Sequence, residues 1–201
     1  HDPQTDEWRS TVHAKAFDSL KPKVKAEAKT RAKLDPNKDY TQDENCLGCH
    51  VTGYGQAGGY SPRMPLPEAK LLEGVGCESC HGAGSRYRND HGDAEHRLKR
   101  TAATTERKVL VSAGQIFDYE QACAHCHLNY KGSPWANAKT PFSPFTPELD
   151  AKYAFDFAKA LKATGPNRGV HVHFKLRNVF KGEPIPKIRA ESQRDAKDPD
   201  D

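Results

Sequence analysis

Apolar side chains are scarce in this chain: 35% of its 201 residues are hydrophobic, against 29% charged. Such a chain buries too little apolar surface to offset its conformational entropy, so side chains alone do not supply an adequate core. Long apolar runs are missing too. None approaches the roughly 18–20 residues of a membrane-spanning helix. The 31 Lys and Arg against 27 Asp and Glu give a formal charge of only +4, and no dense basic block lies beside stacked aromatics. This is weak evidence for nucleic acid and fair evidence for an acidic protein as partner, and a solvated mixed-charge surface accounts for most of these residues. No internal repeat is visible beyond one short motif, and no cysteine stands outside it.

The six cysteines fall as Cys46-Leu-Gly-Cys49-His50, Cys77-Glu-Ser-Cys80-His81 and Cys123-Ala-His-Cys126-His127. A zinc site uses paired thiolates but needs no histidine directly after the second one. A disulfide framework has no use for that histidine either. Covalent haem c explains every position: two thiols add to the two haem vinyl groups, and the adjacent imidazole binds the iron from below. Three haems therefore attach within this chain, and their macrocycles supply the missing core. Each ferric haem adds a net negative charge, so the holoprotein falls from +4 to about +1. Any positive patch is local.

Cys46, Cys49, Cys77, Cys80, Cys123 and Cys126 are thus cofactor-binding, and His50, His81 and His127 are proximal ligands. Met64 is the single methionine, too few to serve three irons, so bis-histidine ligation is the default. Seven histidines remain. His96 and His125 read as surface residues; His13, His91 and the pair His171/His173 are better distal candidates.

The pattern predicts short helices and long loops. Trp8–Leu20 has helical spacing, with Trp8, Val12, Phe17 and Leu20 inward; Pro22 ends or kinks it, or opens the next helix. Lys23–Leu34 reads as a solvent-facing helix stopped by Asp35-Pro36. Residues 53–76 read as a Gly- and Pro-rich loop. A helix over Gln115–Cys126 delivers the third motif. Pro141–Pro147 is an extended strip, followed by a helix over Pro147–Ala163 with Leu149, Tyr153, Phe157 and Leu161 on one stripe. Val170–Phe180 fits a short strand. The polar tail from about Lys187 to Asp201 reads as disordered.

Longer segments carry a resemblance: Trp8-x4-His13-Ala14-Lys15-Ala16, KLDPNKDYTQDENCLGCHVTGYGQAGGY, GVGCESCHGAGSRYRNDH, CAHCHLNYKGSPWANAKTPFSPFTPELDAKY and HVHFKLRNVFKGEP. Together they closely resemble the tetrahaem cytochrome c-554 family of ammonia-oxidising bacteria, from the first residue to about Pro186. The resemblance implies a mainly α multihaem cytochrome c with little β: one domain over 1–186, its helices and long loops wrapped around covalent haems, then the tail 187–201. The family has a further CxxCH roughly a dozen residues ahead of the histidine that matches His13. By that match His1 is the last residue of a severed motif and the proximal ligand of a fourth haem; the alternative is a terminus that starts with histidine by chance. The resemblance also implies His91 as the distal ligand of that haem, His13 as distal ligand of the CAHCH haem, and His171, with His173 beside it, as distal ligand of the CESCH haem. The CLGCH haem is implied to be five-coordinate, with Pro144, Phe145 and Thr146, followed by Pro147, covering its open face.

The function so implied is periplasmic electron transfer in nitrification. Electrons would come from hydroxylamine oxidoreductase or a similar multihaem donor. They would leave through a membrane-bound cytochrome toward the quinone pool. Attachment of haem through CxxCH takes place outside the cytoplasm, which agrees with the periplasm. Two alternatives stand beside it: nitric oxide reduction at the five-coordinate haem, and service as a multihaem subunit of another respiratory complex. No catalytic nucleophile or acid–base dyad is evident.

Overall fold

The computed structural model describes residues 2–127, 144–163, 165, 167–186, 193–194 and 196–198. Apart from the 18-residue helix over Gly84–Thr101, the described elements are short. Helix α1 (Asp2–Arg9) leads to a 3-10 turn at Phe17–Leu20, then α2 (Ala26–Arg31), α3 (Glu44–His50), α4 (Leu66–Leu72), α5 (Cys77–His81) and α6 (Gly84–Thr101). Strand β1 (Thr105–Glu106), α7 (Lys108–Ser112), α8 (Tyr119–His127), a 3-10 turn at Ala151–Tyr153, α9 (Phe157–Leu161) and β2 (Phe180–Lys181) complete them. The mainly α architecture with little strand agrees with the sequence.

Several expected helices are broken, for identifiable reasons. The Trp8–Leu20 helix stops at Arg9 because Thr11 turns back on it, its hydroxyl donating to the Trp8 carbonyl at 2.7 Å. The Val12 N–H then donates to the Arg168 carbonyl (3.0 Å) instead of continuing a helix. Phe17 and Leu20 are buried as expected, whereas Val12 is exposed. Trp8 is half-buried, tied by its indole N–H to the Val75 carbonyl at 2.8 Å. The expected Lys23–Leu34 helix shrinks to α2, with Lys23, Lys25 and Lys33 at φ of 65°, 52° and 58°. For L-residues this left-handed region costs about 1–2 kcal/mol each. Lys29 departs from the solvent-facing pattern: it is buried and donates to the Lys21 carbonyl at 2.7 Å.

Within the expected 53–76 loop lies α4, opened by Pro65 with a second proline in its first turn. The expected Pro147–Ala163 helix divides in two. Asp150 and Asp156 each accept a backbone N–H two or three residues on, from Lys152 (3.1 Å) and Lys159 (2.9 Å), and so each starts a separate short element. Helix α8 starts at Tyr119, four residues later than expected, and runs through His127. The Val170–Phe180 strand contracts to a two-residue parallel pairing, Thr105 with Phe180 and Glu106 with Lys181. Pro141 to Ser143 lie outside the described residues, as does most of the 187–201 tail. In its described part Lys197 bridges to Phe174, with backbone bonds to His173 and Lys175.

One hydrophobic cluster of seven buried residues stands out: Phe17, Leu20, Tyr40, Leu47, Val51, Tyr60 and Ala69. Leu47, fully buried, places this cluster directly behind the first CxxCH helix. Elsewhere Ala94, Leu110, Ala124 and Val179 are buried singly, and polar anchors add to them. Arg107 is buried and donates to the carbonyls of Gly182, Pro184 (3.0 Å) and Phe180 (3.2 Å), clamping the 180–184 segment onto β1. Arg107→Met would leave those carbonyls without their charged donor and is expected to cost about 3 kcal/mol. Thermal melting of the holoprotein checks this; an unchanged midpoint would show the clamp to be dispensable.

Candidate haem-binding site

Each CxxCH lies on a helix: Cys46, Cys49 and His50 on α3, Cys77, Cys80 and His81 on α5, Cys123, Cys126 and His127 on α8. Helical spacing of i, i+3 and i+4 turns both sulfurs and the imidazole to one face, which covalent haem attachment requires. Asp43 caps α3, accepting from the Asn45 N–H at 3.0 Å, and the Asp118 carboxylate accepts from the Gln121 N–H at 3.1 Å at the start of α8. Helix α8 packs against both α3 and α5, and Cys49 and Cys126 come within hydrogen-bonding range. The three attachment faces therefore converge.

The six cysteines form no disulfide. Burial pushes the Cys46 and Cys123 thiols up to about 11; the Cys126 thiol, which donates to Cys49 and is buried, is raised as well, and accepting that bond lowers Cys49. Among the described residues no three His, Cys, Asp or Glu side chains gather around one point. The zinc reading thus finds no support, whereas haem needs only an axial pair at each iron.

His13 faces His127 with ring centroids 5.9 Å apart. Two imidazoles sharing one iron through bonds of about 2 Å stand about 6 Å apart by centroid. The His13 ring bonds the Gly169 backbone, and a Cβ at Gly169 would lie 3.0 Å from its Cε1. Gly74, at φ +83°, closes on the other side; its Cβ would lie 2.9 Å from the His13 carbonyl. Both glycines let backbone press against the His13 segment. Phe155 stacks on His127 at 4.5 Å.

Burial lowers His13, countered by its Gly169 bond and assisted by His50's charge. His127 keeps an exposed edge, yet crowding by the surrounding chain and the charge of His13 bring it down to about 4. Burial brings His81 to about 4 as well, with His171 within electrostatic reach. These imidazoles are neutral at neutral pH, the form that binds iron.

His171 donates through Nδ1 to the Val172 carbonyl, 2.7 Å away, leaving Nε2 for iron. His173 lies 6.3 Å away by centroid, and among the described residues its buried Nε2 has no hydrogen-bond partner. Both thus have ligand character, and the orphaned nitrogen of His173 is a signal that sequence could not supply. His91, on α6, packs against Phe180 at 5.1 Å. Its expected counterpart, His1, lies outside the described residues.

His50 is oriented differently. Its Nδ1 lies 2.7 Å from the Ala16 carbonyl and 3.1 Å from Ser19 Oγ, and among the described residues no imidazole packs against it. The strip Pro144–Thr146 is anchored within its own segment: Phe145 meets Tyr153 edge-on at 5.4 Å and the Thr146 carbonyl accepts from Leu149 and Asp150, while Asp150 pairs with Arg31 of α2 at 3.3 Å. The site residues fit haem c: cysteines for thioethers, neutral imidazoles for axial bonds, and carbonyls that fix the rings of His13, His50 and His171. Bound haem supplies reversible one-electron chemistry at iron.

A family model described as cytochrome c554 and c-prime matches residues 1–82. Cytochrome c-554 of Nitrosomonas europaea is 52% identical over 197 residues, covering 98% of this chain and 81% of that protein. The solved structure of reduced cytochrome c554 from Nitrosomonas europaea superposes with a TM-score of 0.91 at 51% identity, covering 98% of this chain and 92% of that one. With three helical CxxCH faces converging in that fold, the chain belongs to the cytochrome c-554 family of haem c-bearing electron carriers.

Proposed function

We propose that this protein is a periplasmic carrier that accepts electrons from hydroxylamine oxidoreductase, or a similar multihaem donor, and delivers them to a membrane-bound cytochrome on the way to the quinone pool. The observation that carries the reading is the packing of α8 against both α3 and α5, which gathers three attachment faces in one small domain. Closely spaced haems pass electrons without any acid–base group. In this reading three haems sit on the three motifs. His13 and His127 ligate one iron, and His171 and His81 another. No helix among the described residues is long and apolar enough to cross a membrane.

Stopped-flow reduction of the oxidised protein by hydroxylamine oxidoreductase tests the partnership. Fast reduction that slows as salt rises is expected, because opposite charges steer the encounter. Slow reduction at every ionic strength would remove that donor.

A second reading has its own support. His50 has a carbonyl-anchored ring and no facing imidazole among the described residues. Its haem is then five-coordinate beneath Pro144, Phe145 and Thr146, and open to nitric oxide. A reduced protein whose spectrum ignores nitric oxide would exclude this activity.

A further inference from the structure

Between Lys21 and Lys33 the chain carries six Lys or Arg and a single acid, Glu27, for a net of +5. That exceeds the +4 of the whole chain. The segment forms one lobe, because the Lys23 N–H donates to the Pro36 carbonyl at 2.7 Å and the Leu34 N–H to the Lys29 carbonyl at 2.8 Å. Its cations divide into two sets. Lys21 pairs with Asp18, Arg31 with Asp150, and Lys29 is buried. Lys23, Lys25 and Lys33 are exposed and have no ion pair among the described residues. The neighbouring acids Asp35 and Asp39 are turned inward to their own loops, accepting from the N–H groups of Asn37 and Thr41 at 2.8 Å.

The three unpaired lysines are also the three residues of this lobe at positive φ. Glycine or asparagine would sit there with less strain. Lys25 breaks a second local rule: it is the N-cap of α2, where a cation meets the positive end of the helix and no side-chain cap is made. Residues that defy local preference without a local gain point to a use for the side chain itself.

The lobe adjoins one haem site. Lys29 Nζ holds the Lys21 carbonyl, at one end of the Ala16–Lys21 segment; at the other end, Ala16 and Ser19 hold His50. We propose that Lys23, Lys25 and Lys33 form the docking surface for the acidic face of a redox-partner protein, beside the haem attached at Cys46 and Cys49. This rests on the carrier reading above and adds where the partner binds.

The test uses the holoprotein and a carboxylate-terminated gold electrode as a stand-in for an acidic protein face. The variant Lys23→Gly/Lys25→Gly/Lys33→Gly removes charge and backbone strain together, so its melting temperature should not fall. Its electron-transfer rate at the electrode, at low salt, is expected to drop about tenfold or more. Lys70→Gln/Lys108→Gln/Lys159→Gln, with the same loss of charge elsewhere, should keep the parent rate. Equal rates for the parent and the lobe variant would overturn the proposal, as would an equal drop in the control. Reduction by hydroxylamine oxidoreductase, run in parallel, separates the two readings. A lobe-dependent electrode response with no reduction of the parent by that enzyme supports the surface and removes the donor.

Discussion

His13→Ala is expected to turn one low-spin haem high-spin, seen in quantified electron paramagnetic resonance of the oxidised holoprotein. The ring of His13 stands 5.9 Å from that of His127 and is held at Gly169. A ligand pre-oriented by a backbone bond has little freedom to lose on binding iron. The neighbouring imidazole of His50 cannot swing over to replace it, since Ala16 and Ser19 fix its Nδ1. The reduced variant should bind carbon monoxide at the opened position, and exogenous imidazole should restore the low-spin signal. A merely structural role for His13 would leave the spin state as it was. The parent spectrum is informative too. One high-spin signal beside low-spin ones would agree with an open His50 haem, whereas low-spin signals accounting for every haem would remove the nitric oxide reading.

The second large effect concerns the core. Cys123→Ser/Cys126→Ser is expected to lose one haem per chain and, with it, cooperative folding. The hydrophobic cluster of seven residues lies behind α3, whereas α8 joins α3 to α5. Burying about 400 Å² of apolar macrocycle at about 25 cal/mol per Å² contributes on the order of 10 kcal/mol. That is comparable to the whole stability of a domain, about 5–15 kcal/mol. A haemochrome assay per chain reads the haem content, and circular dichroism melting reads the fold. A variant short of one haem that still melts sharply at the parent temperature would show that the polypeptide supplies its own core.

The attachment chemistry is legible in the sequence because it is local. Two cysteines and a histidine at i, i+3 and i+4 share a face on any helix, so the motif states its geometry without knowledge of the fold. The low apolar content likewise calls for a core from outside the side chains, a matter of composition rather than arrangement. Element lengths are less legible. Trp8–Leu20 and Pro147–Ala163 have helical periodicity, yet Thr11, Asp150 and Asp156 offer the backbone alternative hydrogen bonds, and those bonds win.

Pairings across the chain depend on tertiary structure alone. His13 and His127 are separated by most of the molecule in sequence, and nothing in either local context names the other; the contact exists because Gly74 and Gly169 let backbone close on the His13 segment. The buried nitrogen of His173 and the opposite fates of Lys29 and Lys25, one inside and one held outward at a left-handed position, are likewise invisible in composition. The sequence by itself determined what the chain binds, because covalent attachment is a short-range property. Which imidazoles face which, and which lysines of the basic run stay exposed and unpaired, were decided by the fold, because burial and distance are properties of the packed chain.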